Sequence, residues 1–154
     1  MAEQKVDIEQ LLAEGRSIQI KPQGTSMFPL FLEGRDEAVI APLTESGRAS
    51  LRCGDVVLYR RDHGILVLHR ISRCTSKGFY LVGDHQSELE GPIRGDQIRG
   101  ILTGFIRSGK YCSVRHPVYI LASRCWLVLR PLRPGILWFL HWVKDYFRKS
   151  SSDR

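Results

Sequence analysis

The sequence predicts a mostly-β chain: a small coiled sheet or partly open barrel, with a short helix before it and amphipathic helices after it. Two observations predict this. Short apolar runs are separated by turn signals about every ten residues, the signature of an all-β domain with many short strands. From Pro117 onward the apolar runs lengthen, and the turn signals give way to a pattern of helical character. A chain of 154 residues, 43% of them hydrophobic, is long enough for one domain with a sizeable core.

The elements follow in order. Residues 5–14 read as a short amphipathic helix, with Val6, Ile8, Leu11 and Leu12 as a partial apolar stripe and Gly15 as its C-cap. Ile18 and Ile20 alternate with polar neighbours, as in a half-buried strand. A corner at Gly24–Pro29 comes next, then a turn at Gly34-Arg35-Asp36 and a strand at Ala38–Ile40. Residues 42–52 read as a polar loop. Gly54-Asp55 turns into the strand Val56–Arg60. Asp62-His63-Gly64 has the composition of a hairpin turn, and Gly64–Ile71 is the returning strand. Thr75–Gly78 is a turn and Phe79–Val82 a strand. Residues 85–95 are a polar loop containing Gly and Pro. Ile98–Ile106 and Tyr111–Val114 form a last hairpin around Ser108-Gly109. The domains predicted are residues 1–16, an N-terminal helix; 17–115, the β-domain; and 116–154, a basic, Trp-rich helical tail.

Three stretches carry chemistry. In Gly24-Thr25-Ser26-Met27-Phe28-Pro29, glycine permits a tight turn and proline stops regular structure from running on. Ser26 therefore sits on a corner, where its hydroxyl becomes a nucleophile only if a base lies within reach. The apolar strand Gly64–Ile71 carries His69, a side chain suited to proton transfer near neutral pH. Leu81-Val82-Gly83-Asp84-His85 ends a further strand in Gly-Asp, and Asp84 there is the candidate that orients His69.

In this order the motifs Gly-x-Ser-Met-x-Pro, Gly54-Asp55-Val56-Val57, His69-Arg70-Ile71 and Gly83-Asp84 resemble the signal peptidase I and LexA-like serine peptidase superfamily, over roughly residues 17–107. His69-Arg70 resembles the branch with a histidine base, the archaeal and endoplasmic-reticulum type, where the bacterial enzymes use lysine. The resemblance implies that type of fold and a serine endopeptidase acting on an extended peptide or preprotein. Ser26 would be the nucleophile, His69 the general base and Asp84 its orienter. Gly24, Thr25, Met27 and Pro29 are the substrate-binding candidates, and the Ser26 amide is the natural oxyanion donor. His85 stands where the family carries Asn, and Ser87-Glu88 or Glu90 only loosely match its second acidic element. Asp36 and Asp55 read as turn formers. The competing class is a non-catalytic module that holds a peptide or precursor at a membrane or partner.

No cofactor is implied. His63, His85, His116 and His141 have no ligand-like spacing, and Cys53, Cys74, Cys112 and Cys125 form no CxxC pair. The opening five residues lack an apolar h-region, so no N-terminal signal peptide is expected. The net charge of +7 is uneven: residues 115–154 hold eight Lys/Arg against two Asp/Glu, and residues 1–114 fifteen against fourteen. All three tryptophans lie in the tail, whose longest uncharged run, Pro134–Val143, has ten residues. A bilayer span needs about 20. The expectation is a cytoplasmic or peripheral membrane protein whose segment 117–149 lies on a membrane surface or packs on the domain. Nucleic acid is not expected as a partner, because basic and large apolar residues alternate.

Overall fold

A computed structural model describes residues 7–152, with side chains through Val143. Asp7 caps the first helix, α1 (Ile8–Ala13), its carboxylate accepting from the Glu9 and Gln10 amides at 3.0 and 3.3 Å. Gly15 follows α1 at φ +79°, a left-handed conformation that terminates helices. Leu12 is buried and Ile8 and Leu11 partly so, as the apolar stripe anticipates; Val6 lies outside the described residues. Glu9 ties α1 to the sheet through Arg60 and Arg99.

Eight strands form one antiparallel sheet that does not close into a barrel. They are β1 (Ile18–Ile20), β2 (Asp36–Pro42), β3 (Val56–Arg60), β4 (Leu66–Thr75), β5 (Gly78–Val82), β6 (Glu90–Ile93), β7 (Ile98–Arg107) and β8 (Lys110–Ser113). The spatial order is β1-β2-β7-β3-β4-β5-β6, with β8 paired to β7. The β7–β8 hairpin turns on Ser108 and Gly109, both at positive φ (51° and 74°), a combination suited to the right-handed strand twist.

Each face of the sheet has its own core. Val56 and Leu58 of β3 point into one, with Leu12, Met27, Ile40, Leu68 and Phe105. Val57 and Tyr59 point into the other, with Ile71, Leu81, Ile93 and Ile98. Burial on both faces is why β3 reads as a continuous apolar run rather than an alternation.

Two expected loops contain regular structure. Within 42–52 a short helix, α2 (Glu45–Ala49), is capped by Thr44, whose Oγ1 accepts from the Gly47 amide at 3.1 Å. Within 85–95, β6 pairs with β5, Leu81 opposite Glu90 and Phe79 opposite Ile93. β6 ends the strand order, and an edge strand tolerates Pro92, which has no N–H to donate. Cys53, in the turn before β3, and Cys74, near the end of β4, bring their sulfurs to 3.9 Å.

The tail forms α3 (Pro117–Val128), a short 3-10 turn at Arg130–Leu132 and α4 (Arg133–Ser152). His116 caps α3, its Nδ1 accepting from the Val118 amide. Pro134 is accommodated in the first turn of α4, where no intrahelical N–H is required. Tyr119 of α3 packs on the Phe105 ring, 5.7 Å between centroids, so α3 covers part of the sheet. Among the described residues no helix is long and apolar enough to cross a membrane.

Candidate active site

Ser26 lies in the turn that leaves β1. Gly24 takes φ +82°, the Phe28 amide donates to Thr25 O at 3.0 Å, and the Phe31 amide donates to Met27 O at 2.9 Å. Met27 and Phe31 are buried and pin this corner to the Leu58–Leu68 face. Met27 is thus first a core anchor. Thr25 is exposed and Pro29 half-buried. Beside the corner is an apolar cavity of about 400 Å³, lined by Gly24, Ser26, Met27, Ile20, Leu58 and Leu68 among others. Another, of about 450 Å³, lies against α3 between Arg52, Tyr119 and Arg124, and does not include Ser26 in its lining.

The corner is tied to the end of β5. The His85 amide donates to Ser26 O at 2.8 Å. A Cβ on Gly83 would lie 2.7 Å from Ser26 O and 2.9 Å from Gln86 Oε1, so only glycine allows the two backbones this close. The β4–β5 register ends at Arg70 opposite Val82, with His69 and Gly83 each one residue beyond that pair. The Ser26 backbone therefore abuts the end of β5, and His69 lies on β4, the strand paired with β5. Among the described residues no hydrogen bond joins Ser26 to His69, and neither the hydroxyl nor the amide of Ser26 has a partner.

His69 is buried, 2% exposed. It pairs with Val57 across β3–β4, which puts it on the Tyr59 face of the sheet. Its Nδ1 lies 3.2 Å from the Tyr59 hydroxyl, which donates to Glu90 Oε2 at 2.7 Å. A phenol has one proton, and here that proton is committed to the carboxylate. The Tyr59 oxygen can then only accept from His69, so Nδ1 carries the imidazole proton and Nε2 keeps its lone pair. Arg61 clamps Glu90 from the other side at 2.7 and 2.6 Å, and the carboxyl is held below its usual range by Arg61 and Tyr59 against the opposing effect of burial. Burial pushes the His69 pKa down to about 4; the Arg61 charge adds to this, and Glu90 and Asp84 oppose it. The imidazole is thus neutral at physiological pH.

Asp84 is placed differently from the expectation. Both its oxygens are taken by Arg70, at 2.9 and 2.8 Å, and both side chains are fully buried. A carboxylate buried beside a guanidinium finds its strongest partner there, in a two-pronged pair. The Arg70 charge also reaches Gly54 O at 2.9 Å and Tyr119 Oη at 3.3 Å. The group on His69 Nδ1 is Tyr59, with Glu90 behind it. Asp36 is the first residue of β2, buried between Arg35, Arg107 and the Leu32 amide. These partners outweigh the cost of burial and hold its carboxyl far below the usual range. Asp55 stays in a turn, accepting from the Arg52 amide at 2.8 Å.

Tyr59 carries no sequence signal for this role, and Glu90 only the loose match to the resembled family's second acidic element. Tyr59 reads as a strand aromatic and Glu90 as a loop acid; only the pairing of β3 with β4 and of β5 with β6 brings them to His69. Among the described residues no cluster of three or more His, Cys, Asp or Glu could hold a metal ion. Comparison with family models, with curated proteins and with solved structures finds no match to the chain.

Proposed function

We propose that the chain is a serine endopeptidase of signal-peptidase-like type, with Ser26 as nucleophile and His69 as base. The observation that supports this reading is the junction at Gly83, where the Ser26 carbonyl abuts the end of β5 and accepts from the His85 amide, while His69 of β4, the strand paired with β5, is buried and neutral. Ser26 Oγ attacks the scissile carbonyl while His69 Nε2 takes its proton. The same nitrogen returns the proton to the leaving amine. Tyr59 holds the Nδ1 proton and Glu90 stabilises the imidazolium through it, a role usually filled by a carboxylate in direct contact. Asp84 contributes by holding Arg70. The unpartnered Ser26 amide is the oxyanion donor. The peptide or preprotein binds extended, with an apolar side chain in the cavity beside Gly24, Met27 and Leu68.

The missing Ser26–His69 hydrogen bond favours a second reading, a non-catalytic module that holds a peptide in the same cavity. An alkyl fluorophosphonate probe separates the two. A catalytic Ser26 is phosphonylated in wild type, its Oγ bonding to phosphorus as fluoride leaves, not in Ser26→Ala, and at least 100-fold more slowly in His69→Ala, in line with general-base contributions of about 10²–10⁴. Unlabelled wild-type protein, with its fold verified, would refute the peptidase assignment.

A membrane surface is the further partner this reading carries. Trp138, Phe139, Leu140 and Trp142 are all more than 45% exposed along α4, beside a basic C-terminal segment. Trp126 is not part of that surface, because its indole is spent on the domain.

A further inference from the structure

Arg133 opens α4 and is completely buried. A cation at a helix N-terminus is unfavourable for the helix it starts. Its guanidinium instead crosses to other elements. Nη1 donates to Gly83 O at 3.0 Å and to Gln86 O at 2.7 Å, and Nε and Nη2 donate to Trp126 O in the last turn of α3 at 3.3 and 3.1 Å. The guanidinium lies 5.4 Å from the centroid of the Trp126 ring, and the Trp126 indole N–H donates to Asp84 O at 2.7 Å. Three of the four carbonyls of residues 83–86 are thus held by the tail. The fourth residue, His85, donates its amide to Ser26 O.

We propose that Arg133 and Trp126 are positioning residues for Ser26. The facing ends of α3 and α4 reach into the β-domain and fix the 83–86 turn, and that turn fixes the serine corner. The tail is in this sense part of the site and not an appendage to it. The chemistry of Arg133 fits the task. Burial pushes its pKa down, and no carboxylate touches it: its hydrogen bonds end on carbonyl oxygens. A buried guanidinium is costly to keep, and its rigid fork of donors is suited to holding several backbone segments in one geometry. Lysine, a point donor on a flexible stem, would not span Gly83, Gln86 and Trp126 together.

The consequence for catalysis rests on the peptidase reading of Ser26; the positional claim does not, so two readouts are taken. Amide hydrogen exchange is followed in the full chain for wild type, Arg133→Ala and Trp126→Phe, the last removing the indole N–H while leaving a smaller aromatic ring. The His85 amide should exchange at least tenfold faster in both variants, while the amides of Val57 and Leu58 in β3 keep wild-type rates. In parallel, fluorophosphonate labelling of Ser26 should slow at least tenfold in both variants. If labelling is absent in wild type, the peptidase reading fails and exchange at His85 still decides the positioning claim. Wild-type exchange at His85 in a folded Trp126→Phe protein would overturn it, as would labelling of that variant at the wild-type rate. Should Arg133→Ala not fold, Trp126→Phe carries the test alone.

Discussion

Acid is the most direct probe of the buried histidine. In the unfolded chain His69 takes up a proton near pH 6.5; in the folded protein it does so only near pH 4, because burial disfavours the imidazolium. The folded pKa is the lower one, so the unfolded state binds more protons in the interval between the two. Stability is therefore full above pH 6.5 and is lost as pH falls. Each pH unit is worth about 1.4 kcal/mol, so the loss is about 1.4 kcal/mol at pH 5.5 and about 3 kcal/mol at pH 4. At 2% exposure there is no solvent screening to reduce it. Carboxylates with lowered pKa, such as Asp36 and Glu9, add losses of the same sign. The quantity to measure is therefore the difference between wild type and His69→Asn, from urea denaturation at pH 7, 5.5 and 4. The wild-type excess loss should follow the values above. A difference that does not change with pH would mean that His69 is not held neutral by burial. The fluorophosphonate labelling rate gives the kinetic counterpart: it should rise through a midpoint near pH 4 and stay flat from about pH 5.5 to 8. A midpoint at the ordinary histidine value would show a solvated imidazole and refute the reasoning.

Tyr59→Phe removes the oxygen between His69 and Glu90. Nδ1 then loses its acceptor and the imidazole its fixed tautomer; labelling should fall about 10–100-fold, with a stability cost of about 1–3 kcal/mol for the unsatisfied buried group. Undiminished labelling would remove Tyr59 from the mechanism. Asp84→Asn strands the buried Arg70 charge and should cost about 3–5 kcal/mol in unfolding free energy. Measured per folded molecule, its labelling rate should stay within a few-fold of wild type; a loss as large as that of His69→Ala would return Asp84 to the role of direct orienter. The full chain should co-sediment with phosphatidylserine-containing vesicles at low salt, less so at high salt, and Trp138→Ala with Phe139→Ala should weaken it. Protein that stays in the supernatant at low salt would exclude a membrane role for α4.

Much of the β-architecture is legible along the chain, because strand period and turn chemistry are local. Val56–Arg60 is bounded as its apolar run suggests, and the Ser108-Gly109 turn follows from backbone conformations that glycine permits. The Ser26 corner and the position of His69 on a strand are also local matters. What the tertiary structure alone decided is which charge meets which. Asp84 and Arg70, fourteen residues apart, meet through the pairing of β4 with β5, and in a water-free interior a carboxylate takes the guanidinium over a neutral imidazole. Glu90 reaches the histidine through Tyr59 because an apparent loop becomes an edge strand once β5 offers it hydrogen bonds. Trp126 and Arg133 read as parts of a membrane-surface tail from composition, since an amphipathic aromatic or basic side chain suits an interface. The fold instead turns both inward, where the carbonyls of residues 83–86 accept from donors at the end of α3 and the start of α4, some forty to fifty residues further along the chain.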